Sequence, residues 1–574
     1  MLWGVAILVG LVVIMFGIQL LSARSSLNQA AAQAQVLQEQ IVAGDATAAR
    51  RTLASLQDAA DDAHGASDGV LWKIGGRVPL LGKNIQALRT VSAELDRLSD
   101  NALPSIVDLA DRLNAKSFSP ADGAVDIDVI REVGPGVAQS AEELSESARR
   151  LNGIDADSLM APLRGPIAAM KYKVQTAAAV ATNADRAARL LPAMLGEDNK
   201  TRRYALLVQN NAESRSGGGI IGSYAVITVK NGRMSLGTQG SALDLRERDK
   251  PIVKLSDDER TVFPSSMASD IRDVTVTPDF PRAASIATKL MSERFDLKLD
   301  GAVLIDPVAM SYLLGGLGPI DLGSNIVLDQ HNSVTALLHQ VYQTTQDPLV
   351  QDEFFEDVTR ETFDRFKAGA GDPQATLAAL VRGIEENRVA LWSAHKAEQD
   401  EIAPTDLSGV MARDDGEVPH VGFYVSDAAS GKMEYFLSSS TNLAAINCLD
   451  GGRQVLRLTA DLSSTAPASG LALSVTGSGE YVAKGSMRLN IRIVAPFGGH
   501  FTTVRLDDQP QTVYADELYG RNVTKLEVIL QPGQRRTIVA NVTTGPKQTG
   551  LPVLSSTPLV DSLKNDAQSP SACG

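Results

Sequence analysis

The sequence predicts a multidomain α+β protein with an N-terminal transmembrane helix, a helical-bundle stalk, a central α/β domain and a C-terminal immunoglobulin-like β-sandwich. Three observations predict this order: an apolar run at the start of the chain, helical periodicity in its first third, and short β-branched segments in its last third. The chain has 574 residues, too many for one hydrophobic core, so we expect several separately packed units.

The composition is that of a globular, acidic protein. Hydrophobic residues make up 44% of the chain and charged residues 21%, and the formal net charge is −14. No block of lysine and arginine stands out, whereas a protein that binds a phosphate backbone needs a basic surface. We therefore expect no nucleic-acid partner.

Residues 1–24 contain the expected membrane anchor. Residues 2–21 form an apolar run of 20 residues in which Gln19 is the one strongly polar member. At about 1.5 Å per residue, such a run crosses a hydrocarbon core of roughly 30 Å. A cleaved signal peptide is the alternative, but no clean small-residue cleavage site follows. We expect an uncleaved single-pass anchor, with the lipid bilayer as a partner. The β-rich C-terminal half favours a location of the bulk of the chain outside the cytoplasm, although no cytoplasmic cluster of Lys and Arg precedes the span.

Residues 25–199 are predicted to form the helical stalk. Apolar residues recur there at steps of three and four, which places one apolar stripe on a helix. The clearest stripe is Leu88, Val91, Leu95, Leu98, Ala102, Ile106, Leu109 and Leu113. Pro104 should bend or restart this helix, and breaks are expected at 75–82, 117–123 and 153–157. Short breaks between amphipathic helices favour a bundle, and a partner-binding coiled coil is the alternative.

Residues 200–405 are predicted to form the α/β domain. Strands are expected at 204–208, 223–229, 233–236 and 302–305, with a tight turn at Lys230-Asn231-Gly232. Helices are expected at 281–294, 308–314, 333–346, 352–367 and 374–400. Strands interleaved with helices around a buried apolar strand are typical of an α/β domain.

Residues 418–563 are predicted to form the β-sandwich, and residues 564–574 a solvated polar tail. Short β-branched or alternating segments occur at 421–426, 432–437, 454–461, 487–494, 501–506, 526–530 and 537–542. About seven to nine such strands are typical of an immunoglobulin-like sandwich. We predict a disulfide between Cys448 and Cys573 that ties the tail to this domain, and two free thiols are the alternative.

The common enzyme signatures are absent from the sequence, including a Gly-x-Ser-x-Gly elbow, a phosphate-cradling Gly-rich loop with Lys, and a His-Glu-x-x-His pair. The catalytic residues are therefore unknown. Any chemistry must come from carboxylates, arginines, hydroxyls or backbone amides.

One segment, 209–223, concentrates polar residues and glycines between two predicted strands. We predict a loop at a sheet edge, where ligands commonly bind. Consecutive glycines would let a ligand approach the backbone, and Arg215 could fork onto a phosphate. The phosphate-binding candidates are Asn210, Asn211, Glu213, Arg215, Gly218, Gly219, Ser223, Arg272 and Arg360. The alternative is a glycine-rich turn with one solvated arginine.

Carboxylates near the buried strand 302–305 are candidate ligands of a divalent cation. Asp273, Asp279 and Asp300 would hold Mg²⁺, the candidate cofactor, which would in turn hold a pyrophosphate. These carboxylates can equally be helix caps, and Asp306 before Pro307 is predicted to be one.

The run from Arg203-Tyr204 through Gln209-Asn210-Asn211-Ala212-Glu213-x-Arg215 to Gly222-Ser223-Tyr224 resembles the actinobacterial envelope family catalogued as domain of unknown function 4012. Later matching pieces are Arg272-Asp273, Thr277-Pro278-Asp279-Phe280-Pro281, Asp300-Gly301-Ala302-Val303, Asp306-Pro307 and Gly318-Pro319. The resemblance extends from the anchor to the sandwich. It implies a membrane-anchored envelope protein with an extracytoplasmic bulk and leaves its activity open.

Residues 202–366 are more remotely similar to the LytR-CpsA-Psr family, through Glu213-x-Arg215 and the segments 300–306 and 313–318. That family moves lipid-linked glycopolymers from polyprenyl pyrophosphate onto peptidoglycan, with arginines on the pyrophosphate and acids on magnesium. The family's Pro-Arg-Asp after the hairpin is not evident here, with Arg246 and Arg248 as loose stand-ins, and its later Arg-x-Arg is reduced to Arg360. The similarity implies the fold, and these departures count against catalysis.

Two functions stay open at this point. The first is binding of a polyprenyl-phosphate-linked glycopolymer, with or without its transfer to peptidoglycan by a glycopolymer phosphotransferase reaction. The second is a non-catalytic envelope scaffold or protein-interaction module. An apolar groove beside Arg215 would favour the first, and Arg215 paired with a carboxylate in a well-filled domain would favour the second.

Overall fold

The computed structural model describes residues 29–30, 32–37, 39–40, 45–78, 81–112, 120, 123–245, 248–414, 416–564 and 569–573. The predicted anchor, residues 1–24, lies outside them. Within the described residues, no helix is long and apolar enough to cross a bilayer. The chain is a multidomain α+β protein that divides into two compact units, Met1–Pro120 with Val125–Asp198, and Ala121–Ala124 with Asn199–Gly574.

The first unit is helical. Helices α1 to α6 span Ala46–Ser67, Val70–Gly75, Gly82–Asn101, Leu103–Arg112, Ile127–Asn152 and Ala161–Met194. The chain breaks near 75–82 and 153–157, as expected, and most of 117–123 lies outside the described residues. Pro104 sits in the first turn of α4, where a missing N–H costs nothing, so it restarts the helix that ends at Asn101.

The core of the first unit uses part of the predicted stripe, whose last member, Leu113, lies outside the described residues. Val91 and Leu98 on α3 pack in one buried cluster with Leu144 and Leu151 on α5 and with Val174 on α6. Many of the other contacts are made by alanine, and alanines on α1 reach 0 to 3% exposure. Small side chains let these helices approach closely, so the bundle is built with few aromatic residues.

The second unit begins with a five-stranded sheet. Strands β1 to β4 span Thr201–Arg215, Gly218–Lys230, Arg233–Ser241 and Gly301–Ile305, and β7 spans Val389–Ser393. The strand order is β3-β2-β1-β4-β7, in which β1 and β4 are parallel and the other neighbours are antiparallel. Strands β5, Ile320–Asp321, and β6, Val327–Leu328, form a separate pair.

Helices lie between the strands of the second unit along the chain. Helices α7 to α14 span Asp257–Val262, Phe280–Phe295, Pro307–Leu317, 333–344, Pro348–Lys367, Pro373–Glu385, Lys396–Ile402 and Leu473–Thr476. The middle of α10 is a π-helical turn, Ala336–Gln340. The prediction of one helix over 374–400 is wrong, because Asn387 adopts φ 56° after α12 and the chain then pairs with β4 as strand β7.

Two further sheets complete the second unit. Strands β8 to β18 span His420–Asp427, Leu437–Leu449, Arg453–Ser464, Met487–Val494, His500–Leu506, Gln509–Pro510, Asp516–Leu518, Arg521–Leu530, Arg535–Thr543, Val553–Ser556 and Asp561–Lys564. Their orders are β13-β12-β16-β10-β9-β18 and β14-β15-β11-β8-β17. Both sheets send buried side chains such as Leu458 and Ile491 into one hydrophobic core, so they form a two-sheet sandwich.

Two predictions for this region are corrected. Residues 432–437 do not form a strand, because Met433–Phe436 is a 3₁₀ turn that leads into strand β9. The tail is not simply solvated: Cys573 is joined to Cys448 by a disulfide, and the Ala572 backbone N–H donates to Gln454 Oε1 at 2.9 Å. The tail is thereby attached to the edge of the sandwich.

Candidate functional site

The glycine-rich segment 209–223 is a β-hairpin, which corrects the prediction of a loop at a sheet edge. Strand β1 continues to Arg215, and strand β2 begins at Gly218. The pairing register shifts between Asn210 and Ser214, so β1 carries a bulge there. The polar residues of this segment have low strand propensity and hide the strand from a sequence pattern, although the backbone ladder accommodates them.

The glycines of this hairpin are required by contacts within the chain. A Cβ on Gly219 would lie 2.2 Å from the carbonyl oxygen of Asn210. Gly218 adopts φ +124°, and a Cβ there would lie 2.4 Å from the side-chain oxygen of Gln209. The hairpin itself therefore accounts for these glycines, without the approach of a ligand.

The two predicted asparagines point into the protein. The Asn210 side-chain amide donates to the hydroxyl of Tyr342 at 2.9 Å. Asn211 is fully buried and donates to Asp306 Oδ2 at 3.0 Å and to the Pro558 carbonyl at 2.9 Å. Both residues hold the hairpin to neighbouring elements of the second unit.

Glu213 and Ser223, two further phosphate-binding candidates, are also part of the fold. The Glu213 carboxylate lies 2.9 Å from Nζ of Lys432. Ser223 is buried in β2, where it pairs with Val208 on one side and with Ser241 on the other. These positions assign structural contacts to both side chains.

Arg215 is paired with a carboxylate. Its Nε donates to Asp273 Oδ1 at 3.0 Å, and its Nη1 donates to the Ser214 carbonyl at 3.0 Å. The second carboxylate oxygen of Asp273 accepts from the Ser266 hydroxyl at 2.6 Å. The arginine predicted to bind phosphate therefore already has a counter-charge, and both partners are mostly buried.

The other two candidate arginines are occupied as well. Arg272 contacts both carboxylate oxygens of Asp270, and these hydrogen bonds raise the pKa of the Arg272 guanidinium. Arg360 pairs with Asp357 one turn away on α11. Neither arginine lines the cleft that opens beside Arg215.

The three predicted magnesium ligands lie at separate places. Asp273 binds Arg215, and Asp300 accepts the backbone N–H of Arg203 at 2.9 Å. Asp279 is buried at the start of α8, and this burial raises its carboxyl pKa. In the part of the chain that the structure describes, no three His, Cys, Asp or Glu side chains are grouped to hold a metal ion. The structure therefore places the three carboxylates at different points of the fold.

A buried ion pair that sequence reasoning did not single out connects the first sheet to helix α9. Arg388 Nη1 lies 2.8 Å from Asp306 Oδ2, and the two side chains are 5% and 0% exposed. The other oxygen of Asp306 accepts from the Ala309 backbone N–H, which confirms its predicted role as a helix cap. The two partners are separated by 82 positions in the sequence, which leaves no local signal of this pairing.

A cleft of about 530 Å³ opens beside Arg215. Its floor is the outer face of the sheet formed by β8, β11 and β15. On that floor Asn490 lies opposite Ser426 and Glu527, and Arg492 lies opposite Lys525 in the next strand. The segment 261–266 and Asp273 form the walls. The cleft therefore lies between this sheet of the sandwich and the segments that precede helix α8, all within the second unit.

Arg492 is the most deeply placed cation of this cleft. The residue is only 9% exposed, and its Nε donates to the Val262 carbonyl at 3.2 Å. Its Nη1 lies 3.3 Å from the Ser426 hydroxyl. Burial first, and then the neighbouring charge of Arg215, lower the pKa of Arg492 to about 10. The alternation of polar and apolar residues along β11 predicts that Arg492 lies on the polar face of the strand, but it does not predict that the residue is buried.

Comparison with known proteins bears on one part of the chain. Residues 199–342 match the model of a family described as protein of unknown function (DUF4012). This match covers about a quarter of the 574 residues and supports the resemblance of that stretch to the family. It includes Arg215 and excludes Arg492. No curated protein matches the chain.

Proposed function

We propose that this chain is a membrane-anchored, extracytoplasmic cell-envelope protein that acts as a non-catalytic scaffold or protein-interaction module. The observation that carries the proposal is the pairing of Arg215 with Asp273 beside a hairpin whose glycines are packed by the chain itself. Among the side chains that the family resemblance would assign to phosphate and magnesium, Asn211, Arg215 and Asp300 contact other parts of the fold, and Arg272 and Arg360 pair with nearby carboxylates. Such residues are poorly placed to exchange their partners for a substrate.

One feature supports the membrane anchor and a second supports the extracytoplasmic location. Residues 2–21 are long and apolar enough to anchor the chain in a bilayer. The disulfide between Cys448 and Cys573 is of a kind that persists in oxidising compartments outside the cytoplasm. A periplasm-type reporter fused to the C-terminus is expected to be active, and activity of a cytosolic reporter alone would contradict this location.

We also propose finer relationships for the two parts of the second unit. The sandwich would be immunoglobulin-like, supported by two mostly antiparallel sheets around one core. The first sheet and its helices would be related to the LytR-CpsA-Psr fold, supported by the parallel pair β1 and β4 and the helices that follow them. An experimental structure that superposes on neither fold would remove these relationships.

A second candidate function is binding of a polyprenyl-phosphate-linked glycopolymer. The specific observation in its favour is the cleft beside Arg215, one wall of which includes the apolar residues Val262, Phe263 and Pro264. Catalytic transfer to peptidoglycan would additionally need Arg215 to leave Asp273 and a metal site that the three predicted carboxylates do not form together.

Binding of polyprenyl phosphate separates the two candidates. Full-length wild type and Arg215→Ala would be titrated in detergent with polyprenyl phosphate, with and without magnesium, and Arg457→Ala on strand β10 would serve as a strand-arginine control. The scaffold proposal expects the three proteins to respond equally and without magnesium dependence. Magnesium-dependent binding that is lost only in Arg215→Ala would contradict it and favour the second candidate.

A further inference from the structure

Arg492 is a buried cation held by neutral groups. Its partners are the Val262 carbonyl, the Ser426 hydroxyl and the face of the Phe263 ring, whose centroid lies 5.5 Å from its guanidinium carbon. Among the described residues, no carboxylate lies within 4.0 Å of its nitrogens. A buried charge without a counter-charge is unfavourable in the absence of a ligand.

The other cations at this cleft are compensated. Arg215 pairs with Asp273 at 3.0 Å. Lys525, which lies directly opposite Arg492 on the neighbouring strand, pairs with Asp516 at 2.7 Å. Arg492 is thus placed beside two other positive groups, and like charges on adjacent strands raise the cost of its own charge.

The acids of the cleft do not provide the missing partner. Glu527 lies 2.6 Å from Arg488. Asp427 accepts the backbone N–H groups of Ala429 at 2.7 Å and Ser430 at 3.0 Å. Its carboxylate is therefore directed at the turn after β8, and the guanidinium of Arg492 keeps one uncompensated charge.

We propose that the cleft binds a singly charged oxyanion, a phosphodiester or a carboxylate, on the guanidinium of Arg492. The Ser426 hydroxyl lies beside the guanidinium and donates to the same anion, and the exposed Asn490 two residues along β11 contacts the group that carries it. A guanidinium presents parallel N–H groups that match two oxygens of such an anion.

The charges around the cleft set the class of ligand. One positive charge lacks a partner, whereas Asp273, Asp427 and Glu527 surround it with negative groups. A pyrophosphate or a phosphate dianion would carry more negative charge than the site neutralises. A phosphodiester and a carboxylate both carry one negative charge shared by two oxygens. A phosphodiester can link two units of a polymer, and a carboxylate can be a side group on one.

This inference goes beyond the proposed scaffold function. It rests on Ser426 and Arg492 of strands β8 and β11, which lie outside the stretch that matches the family, and on Val262 and Phe263, which lie inside it. It holds wherever the chain resides. A scaffold that lacks this ligand stays a scaffold, so failure of the oxyanion site leaves the proposed function standing.

The test is a titration of the full-length chain with small probes at constant ionic strength. The probes are dimethyl phosphate, acetate and pyrophosphate, with sodium chloride as the ionic control, and the readout is the thermal unfolding midpoint. We expect a saturable rise with dimethyl phosphate, which assigns a phosphodiester, or with acetate, which assigns a carboxylate. If neither dimethyl phosphate nor acetate gives a saturable rise, the proposal is wrong. If pyrophosphate binds more tightly than both, the ligand is not limited to a single negative charge.

Three variants locate the site. Arg492→Gln is expected to weaken binding by about tenfold or more, because it removes the charge that pairs with the anion. Asp427→Asn removes a nearby negative charge and is expected to tighten binding by about threefold. Arg457→Gln changes a strand arginine of the other sheet and is expected to bind as wild type. Equal binding by wild type and Arg492→Gln would show that the anion does not bind at Arg492. If Arg492→Gln fails to fold, unchanged binding by Asp427→Asn would show the same.

Discussion

Arg215 and Arg492 line the same cleft, but Arg215 is paired with a carboxylate whereas the partners of Arg492 are neutral groups. Arg215, in the segment that matches a known family, is neutralised by Asp273 at 3.0 Å. Arg492, outside that segment, is buried against neutral acceptors and has its pKa lowered to about 10. The difference shows that the arginine of the glycine-rich motif, Arg215, can stabilise the fold. In our proposal, Arg492, a strand residue outside any motif, binds the ligand.

The hairpin and the cleft floor also differ in what fixes them. The hairpin is fixed by close contacts within itself, since a side chain at Gly219 would meet the Asn210 backbone and one at Gly218 would meet the Gln209 side chain. The cleft floor is a regular sheet surface whose polar residues face a volume of about 530 Å³. Substitutions should therefore affect stability at the hairpin and ligand response at the floor.

The largest expected effect concerns a buried arginine that has its counter-charge. Arg388→Ala would leave Asp306 buried without a cation and is expected to lower the free energy of unfolding by about 3–5 kcal/mol. Urea unfolding of the second unit measures the change. The matched control is Arg382→Ala, whose exposed pair with Glu386 is expected to contribute about 0.5 kcal/mol or less. Equal effects of the two variants would contradict the importance assigned to burial.

The next effect tests the hairpin glycines. Gly219→Ala forces the new Cβ against a backbone carbonyl 2.2 Å away and is expected to cost about 1–3 kcal/mol. Gly222→Ala is the control three residues along the same strand, where the nearest atom to a Cβ lies 3.6 Å away. We expect the control to be close to neutral in the same unfolding measurement. A neutral Gly219→Ala would show that the hairpin has room that a ligand could use.

The smallest expected effect is a pH dependence at the cleft. Burial raises the pKa of Asp427 from 3.8 to about 6, so the folded state holds this proton more tightly than the unfolded state does. Its contribution to stability is present below pH 4 and is lost as the pH rises through 6. Relative to Asp427→Asn, wild type should therefore lose up to about 2 kcal/mol between pH 4 and pH 7. A difference that stays constant with pH would show that Asp427 is not shifted.

Local signals in the sequence predicted several elements of the second unit correctly. Asn231 and Gly232 adopt φ 48° and 76°, as a tight hairpin turn requires, and strand β4 lies where the apolar run 302–305 predicts it. The sequence pattern does not predict strand β9, because the first half of the strand, Leu-Ser-Ser-Ser-Thr-Asn, consists mainly of small polar residues. Its position is decided by pairing with β10, which a pattern along one strand does not contain.

The candidate site was less predictable than the fold. The polar and glycine residues in 209–223 predict a ligand loop, although the same residue types also suit the bulged hairpin that the structure shows. The partner of Arg215 lies 58 residues away, and the segment that buries Arg492 lies about 230 residues away. Pairings at such separations follow from tertiary packing and leave no local pattern.

The most direct test compares the unfolding free energies of Arg215→Ala and Arg492→Gln, each measured against wild type without ligand. Removing Arg215 strips Asp273 of its partner and is predicted to cost about 1–3 kcal/mol. Removing the uncompensated charge of Arg492 is predicted to leave stability unchanged or to raise it. A neutral Arg215→Ala together with a strongly destabilised Arg492→Gln would contradict the assignment of one arginine to the fold and the other to a ligand.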